Sequence, residues 1–187
     1  MVPVLRNVDD LSLTGLARQL DGLVVGQVGR HVPVGETVVW RDRDAIRFVP
    51  PAEPVERWLY VGDTVRTPLG TLELVKMEPS QLYAQPKPDE AVGLELLKPD
   101  ALDGDLCLRT GRAGDRIAPT GMDGTKLVSD LLTERRVRPS DRDRQLVLCV
   151  GDRVAWVVGH RVAEWAGYRD PSRGFVRATW DPRDSVG

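Results

Sequence analysis

The stretch that decides the reading runs from Leu108 to Lys126, LRTGRAGDRIAPTGMDGTK. It opens on an apolar strand, Leu106–Arg109, and passes into a glycine-rich segment with three arginines: Arg109, Arg112 and Arg116. A helix is expected from about Thr125, because Leu127, Val128, Leu131 and Leu132 share one face at helical spacing. Thr125 is a plausible N-cap. Arg135 and Arg136 fall at the C-terminal end, where cations suit the dipole, and Pro139 bars extension. The charged run Ser140–Arg144 reads as a turn. Gln145–Val150 and Val154–Val158 then read as a strand pair around Gly151, followed by strands at Gly159–Val162 and Phe175–Trp180.

Upstream, Asp10–Val25 is expected to be a helix going into a strand, with Gly22 able to end the helix. Glu36–Val49 reads as a hairpin turning at Arg41–Asp44. Trp58–Val75 continues the β pattern through a turn at Pro68–Gly70. Pro79–Glu90, with three prolines among polar residues, is the candidate linker or a long surface connection. The expected architecture is α+β: two small lobes of mostly antiparallel strands with a few short helices. The expected organisation is a helix plus β lobe over 1–78, a linker over 79–91, and a second domain over 92–187.

Composition narrows the function classes. Of the 187 residues, 41% are apolar and 29% charged with both signs mixed, a profile of a globular chain with a real core. No apolar run approaches the roughly 20 residues that span a bilayer, and the N-terminal residues lack a signal-peptide core, so a cytoplasmic protein without a membrane partner is expected. The net charge of −2 is uneven. Residues 1–104 carry eleven Lys and Arg against sixteen Asp and Glu, a net of −5. Residues 105–187 carry fifteen against twelve, a net of +3. A polyanion would meet the second half. Cys107 and Cys149 read as buried thiols, and two Cys with two His do not have zinc spacing. No Walker, dinucleotide or nucleophile motif occurs. The five tryptophans, Trp40, Trp58, Trp156, Trp165 and Trp180, read as core or edge residues before base-stacking platforms.

The ordered residues Arg109, Arg112, Gly114, Asp115, Arg116, Pro119, Gly121, Gly124, Lys126 and Asp130, continued by Arg136, Val137, Arg142, Asp143, Arg144, Trp156, Gly159 and Arg161, resemble the C-terminal domain of bacterial tRNA(Ile)-lysidine synthetases. Leu11–Val49 and Leu59–Met77 are similar, more weakly, to the segments that precede that domain. The resemblance implies a tRNA-binding portion that positions the tRNA body and acceptor stem. It also implies a separate ATP-pyrophosphatase domain, in cis or in trans, that would use ATP and lysine at the anticodon cytidine of tRNA(Ile). The Ser-Gly-Gly-x-Asp-Ser loop of that domain does not occur in these 187 residues, so no cofactor site and no activity are expected of this chain alone.

The candidate RNA-binding residues are Arg109, Arg112, Arg116, Lys126, Arg135, Arg136 and Arg138. Cations satisfy phosphates, and Gly121–Lys126 ahead of a helix offers backbone N–H groups to an anion, although such glycines also serve plain turns. Two positions that are basic in the family hold Leu127 and Ser129 here, and Arg138 stands where the family has proline, with Pro139 following. These departures keep a second expectation open: a protein-interaction or scaffold domain that retained the fold and lost RNA binding.

Overall fold

In the computed structural model the described residues are 13–85, 87–88, 93–122, 124–170 and 172–182. Among them, fourteen strands and three α-helices form an α+β fold in which every named strand pairing is antiparallel. The chain divides into two compact units, 1–53 with 137–143, and 54–136 with 144–187. No helix among the described residues is long and apolar enough to cross a membrane.

The smaller unit holds helix α1 (Leu13–Val24) and a three-stranded meander, β1 (His31–Val34), β2 (Thr37–Arg41) and β3 (Ile46–Val49). The expected helix and hairpin are both present, but the helix runs on to Val24 where the segment was expected to pass into a strand, and residues 10–12 lie outside the described residues. Strand β1 was not expected; Pro33 within it fits an edge strand, which needs no inward N–H. The sequence Pro139–Arg142 forms one turn of helix, α3, in place of the expected irregular turn. Pro139 occupies its first turn, where a missing N–H costs nothing. Asp42, fully buried, accepts hydrogen bonds from the Ser140 hydroxyl at 2.9 Å and the Ser140 N–H at 3.4 Å, with Arg47 at 3.7 Å. That contact ties α3 to the β2–β3 turn.

The larger unit is built on two sheets. The five-stranded sheet has the order β13-β12-β11-β8-β4: β13 is Arg161–Val162, β12 Arg153–Val157, β11 Leu146–Val150, β8 Leu106–Thr110 and β4 Glu56–Trp58. Strands β8 and β11 are apolar at successive positions, and both faces are buried: Leu108, Val147, Leu148 and Cys149 have no exposed surface. The four-stranded sheet has the order β5-β6-β14-β7: β5 is Thr64–Thr67, β6 Gly70–Met77, β14 Phe175–Pro182 and β7 Leu94–Leu97. Here Leu72 and Leu74 of β6, Leu97 of β7, and Phe175, Val176 and Ala178 of β14 supply the core. Strands β6 and β14 pair over eight residues, from Met77–Phe175 to Gly70–Pro182.

That long pairing corrects the expected domain boundary. A division at 79–91 would separate β6 from its partner β14. Pro79–Ala84 is a 3-10 turn whose Gln81 side chain accepts the Glu78 N–H at 2.8 Å, not a plain linker. The boundary lies near residue 53, and Val137–Asp143 returns to the smaller unit.

The candidate nucleic-acid interface

The segment between β8 and the following helix is where the sequence placed its site. Its anchor is Arg109, the penultimate residue of β8, which is 6% exposed. Both guanidinium nitrogens donate to the Asp115 carboxylate at 2.8 Å, and one donates also to the Thr110 carbonyl at 3.1 Å. Asp115 further accepts the Arg112 N–H at 2.7 Å. Burial opposes ionisation of Asp115, but the hydrogen bonds from Arg109 and the Arg112 N–H hold its carboxyl below the ordinary value. The same bond raises the pKa of Arg109. This residue therefore fastens the loop, with its charge turned to Asp115.

The fastened loop turns outward. Arg112 is exposed and meets Glu56 of β4 at 2.6 Å, a pair that is 59% and 50% exposed at the two side chains. Gly114 sits at φ 90° with open space around it, a backbone conformation that glycine adopts without strain. Arg116, also exposed, starts the two-stranded ladder of β9 (Arg116–Ile117) with β10 (Lys126–Leu127), and its guanidinium donates to the Thr125 hydroxyl at 3.1 Å and carbonyl at 3.3 Å.

Helix α2 (Val128–Glu134) begins three residues later than expected, because Lys126 and Leu127 are drawn into the ladder with Arg116 and Ile117. Thr125 is thus not its cap; Leu127 occupies that position without a side-chain bond. At the two ends of the expected anion cradle, N–H groups already have partners. The Gly121 N–H donates to the Glu164 carboxylate at 3.1 Å, and the Val128 N–H donates to the Asp115 carbonyl at 2.9 Å. Lys126 reaches across α2 to Glu134, with its Nζ at 2.8 and 2.7 Å from the two carboxylate oxygens, and its side chain is 19% exposed.

The remaining candidates are exposed. Arg135 follows α2 as its C-cap, and Arg136 lies at φ 56° in the left-handed region. Arg138 precedes α3 and belongs to the smaller unit. The larger unit thus brings Arg112, Arg116 and Lys126 to one loop-and-ladder element, with Arg135 and Arg136 at the far end of α2. Among the described residues no group of three or more His, Cys, Asp or Glu is placed to hold a metal ion.

Sequence reading offers Asp115 as a residue that pins the loop but misses Glu56 and Glu134. Glu56, Asp115 and Glu134 each engage one of the candidate cations, and Trp58 and Tyr60 are exposed, at 65% and 77%. Alternation around the buried Leu59 was the available signal for the two aromatics.

The TilS substrate C-terminal domain profile matches residues 106–176. The tRNA(Ile)-lysidine synthase of Symbiobacterium thermophilum is 35% identical over 120 residues, 62% of this chain and 24% of that protein. The Bacteroides thetaiotaomicron enzyme of the same name is 45% identical over 62 residues, 33% of this chain and 15% of that protein. A crystal structure of a TILS C-terminal domain superposes with a TM-score of 0.59 at 21% identity, covering 71% of this chain and all of the other. The chain spans a quarter or less of the length of these two synthases. Its residues 106–176 belong to the family of C-terminal domains of tRNA(Ile)-lysidine synthases.

Proposed function

We propose that this chain is the tRNA-binding portion of a cytoplasmic tRNA(Ile)-lysidine synthase. It holds the body and acceptor stem of tRNA(Ile), while an ATP-pyrophosphatase domain, in cis or in trans, forms lysidine at the anticodon cytidine with ATP and lysine. The observation that carries this reading is the family match over residues 106–176, which contains the whole Arg109–Lys126 element. No catalytic step is assigned to the residues of this chain.

The chemistry of the element supports the reading. Duplex RNA is recognised mostly by its phosphates and 2′-hydroxyls, so exposed guanidinium groups on a stiff frame suffice and no base-reading motif is needed. Arg112 and Arg116 supply those groups, and the buried Arg109–Asp115 pair supplies the stiffness. A phosphate approaching Arg112 replaces Glu56, a surface carboxylate whose ion pair is worth about 0–1 kcal/mol. Arg135, Arg136 and Arg138 extend the set of exposed cations.

Filter binding with a tRNA(Ile) transcript across a salt series tests this. The unaltered chain binds, and log Kd changes with log salt. In the Arg112→Ala, Arg116→Ala double variant the slope is shallower by up to about 1.4–1.8, at about 0.7–0.9 for each phosphate no longer neutralised and less for Arg112, which Glu56 already pairs. Absence of binding at low salt, or an unchanged slope in the double variant, would refute the assignment.

A further inference from the structure

Trp58 and Tyr60 stand on the open edge of the five-stranded sheet. Trp58 lies opposite Cys107 and Glu56 opposite Arg109, and residues that face each other across an antiparallel pair share a sheet face. Trp58 therefore shares its face with Glu56, two residues along, and with the Arg112 guanidinium that Glu56 holds. The Leu59 N–H donates to the Leu106 carbonyl at 3.1 Å, so the ladder continues one residue beyond β4. Leu59 is 2% exposed between two exposed aromatics, which puts Tyr60 on the same side as Trp58. The Tyr60 backbone is fixed as well: its N–H donates to the Asp63 carboxylate at 2.7 Å, and its carbonyl accepts the Asp63 N–H at 3.1 Å.

A single exposed aromatic needs no explanation. Two on one side of a strand end, beside the exposed Arg112, have a specific geometry. Alternate strand positions are about 6.8 Å apart, which is two stacking gaps of about 3.4 Å. Rings carried at that spacing would leave room for one flat ring between them. We propose that Trp58 and Tyr60 stack an unpaired base of the RNA, from the 3′-terminal single strand that runs on from the acceptor stem. The proposal rests on the tRNA-binding reading above. Aromatic platforms beside cations are how proteins take single-stranded nucleic acid without reading its sequence. Of the two nearby acids, Asp63 is turned to the Tyr60 N–H, and Glu56 stays beside Arg112, whose charge it shares with an arriving phosphate. Strand addition by a protein partner is a poorer occupant, because β4 offers only three residues of free edge.

The test uses the whole 187-residue chain and two RNAs: an intact tRNA(Ile) transcript, and the same transcript lacking its unpaired 3′-terminal nucleotides. The unaltered chain binds the intact RNA roughly five- to a hundred-fold more tightly than the trimmed one, the range set by stacking one base. Trp58→Ala binds both RNAs as the unaltered chain binds the trimmed one, and Tyr60→Ala loses part of the preference. Trp58→Phe keeps most of it, and equal melting temperatures certify that the variants fold. A Trp58→Ala chain that keeps the preference, or that loses affinity equally for both RNAs, overturns the inference and leaves tRNA binding standing. Unchanged RNA binding together with failure to capture a synthase catalytic domain overturns it in favour of a protein partner. Failure of the unaltered chain to bind either RNA overturns the tRNA-binding reading, and the inference with it.

Discussion

Arg109 was expected to touch RNA and instead holds the loop that presents Arg112 and Arg116; replacing it separates those two roles. Arg109→Ala removes two 2.8 Å charge-assisted bonds to Asp115 and one bond to the Thr110 carbonyl. It leaves a carboxylate that is 10% exposed with the Arg112 N–H as its remaining donor. Removing one member of a buried ion pair costs about 3–5 kcal/mol. With a urea m-value of about 2 kcal/mol/M, the unfolding midpoint falls by roughly 1.5–2.5 M. Arg109→Lys keeps the charge but loses the two-pronged geometry, and should lose about 1–3 kcal/mol. The pH dependence carries the same signature. Asp115 has a depressed folded pKa, so its contribution is present above the unfolded value of 3.8 and is lost as pH falls through the lower folded value. In Arg109→Ala that acid-side loss becomes smaller. Urea titrations at pH 7 and between pH 5 and 2 measure both effects. A midpoint shift under about 0.5 M, or an Arg109→Lys chain of unchanged stability with weakened tRNA binding, would refute the anchoring role and return Arg109 to the interface.

Three further outcomes follow from particular contacts. Glu134→Gln frees Lys126, so the salt slope for tRNA binding steepens by about 0.7–0.9 while stability changes by less than about 1 kcal/mol; filter binding and melting together check it. Arg136→Gly relieves a left-handed arginine after α2 and raises stability by about 1 kcal/mol in urea unfolding, while tRNA affinity falls if Arg136 meets a phosphate. Burial pushes both thiols up, Cys149 to about 11, so neither reacts with a thiol reagent at pH 8 until the chain is unfolded. The Cys149 contribution to stability is fully present below the unfolded value of 9.0 and is lost as pH rises from there to about 11, a change on the order of 2 kcal/mol seen in alkaline unfolding.

Local pattern and tertiary partner were unequally legible. Alternation placed β3, apolar runs between turn residues placed β2, β6, β11 and β12, and helical spacing placed α1 and α2. The start of α2 was misplaced because Thr125 is a good cap by type, yet Lys126 and Leu127 gain ladder bonds with Arg116 and Ile117. The domain boundary was misplaced because Pro79, Pro86 and Pro88 mark a break in local structure, whereas the unit is defined by β6 meeting β14 about a hundred residues later. At the site, residue types were readable and roles were not. Arg109, Arg112 and Arg116 are alike in a string. Only the apolar run before Arg109 marks it as a strand residue, and only the fold shows both of that strand's faces buried.

Charge counting by halves has the same weakness. The +3 of residues 105–187 suggests a mildly basic surface. In the larger unit, however, Arg112 lies against Glu56, Lys126 against Glu134, Arg169 against Glu164, Arg173 against Asp100 and Asp170, and Arg177 against Glu73. A cation already paired on the surface releases fewer counterions when a phosphate arrives, so RNA binding by such a surface has a shallower salt dependence than its count of arginines implies. The exchange itself costs little, because exposed pairs are worth about 0–1 kcal/mol each. Leu127 and Ser129, where the family has basic residues, act in the same direction: Leu127 is half-buried in the ladder, and the Ser129 carbonyl accepts the Thr133 hydroxyl at 2.8 Å. With no cation in α2 itself, the proposed tRNA binding would draw mainly on the rigid loop at Arg112 and Arg116 and on the proposed stacking at Trp58 and Tyr60. A chain so arranged binds more weakly at low salt than a lysine-rich relative and keeps more of its affinity as salt rises.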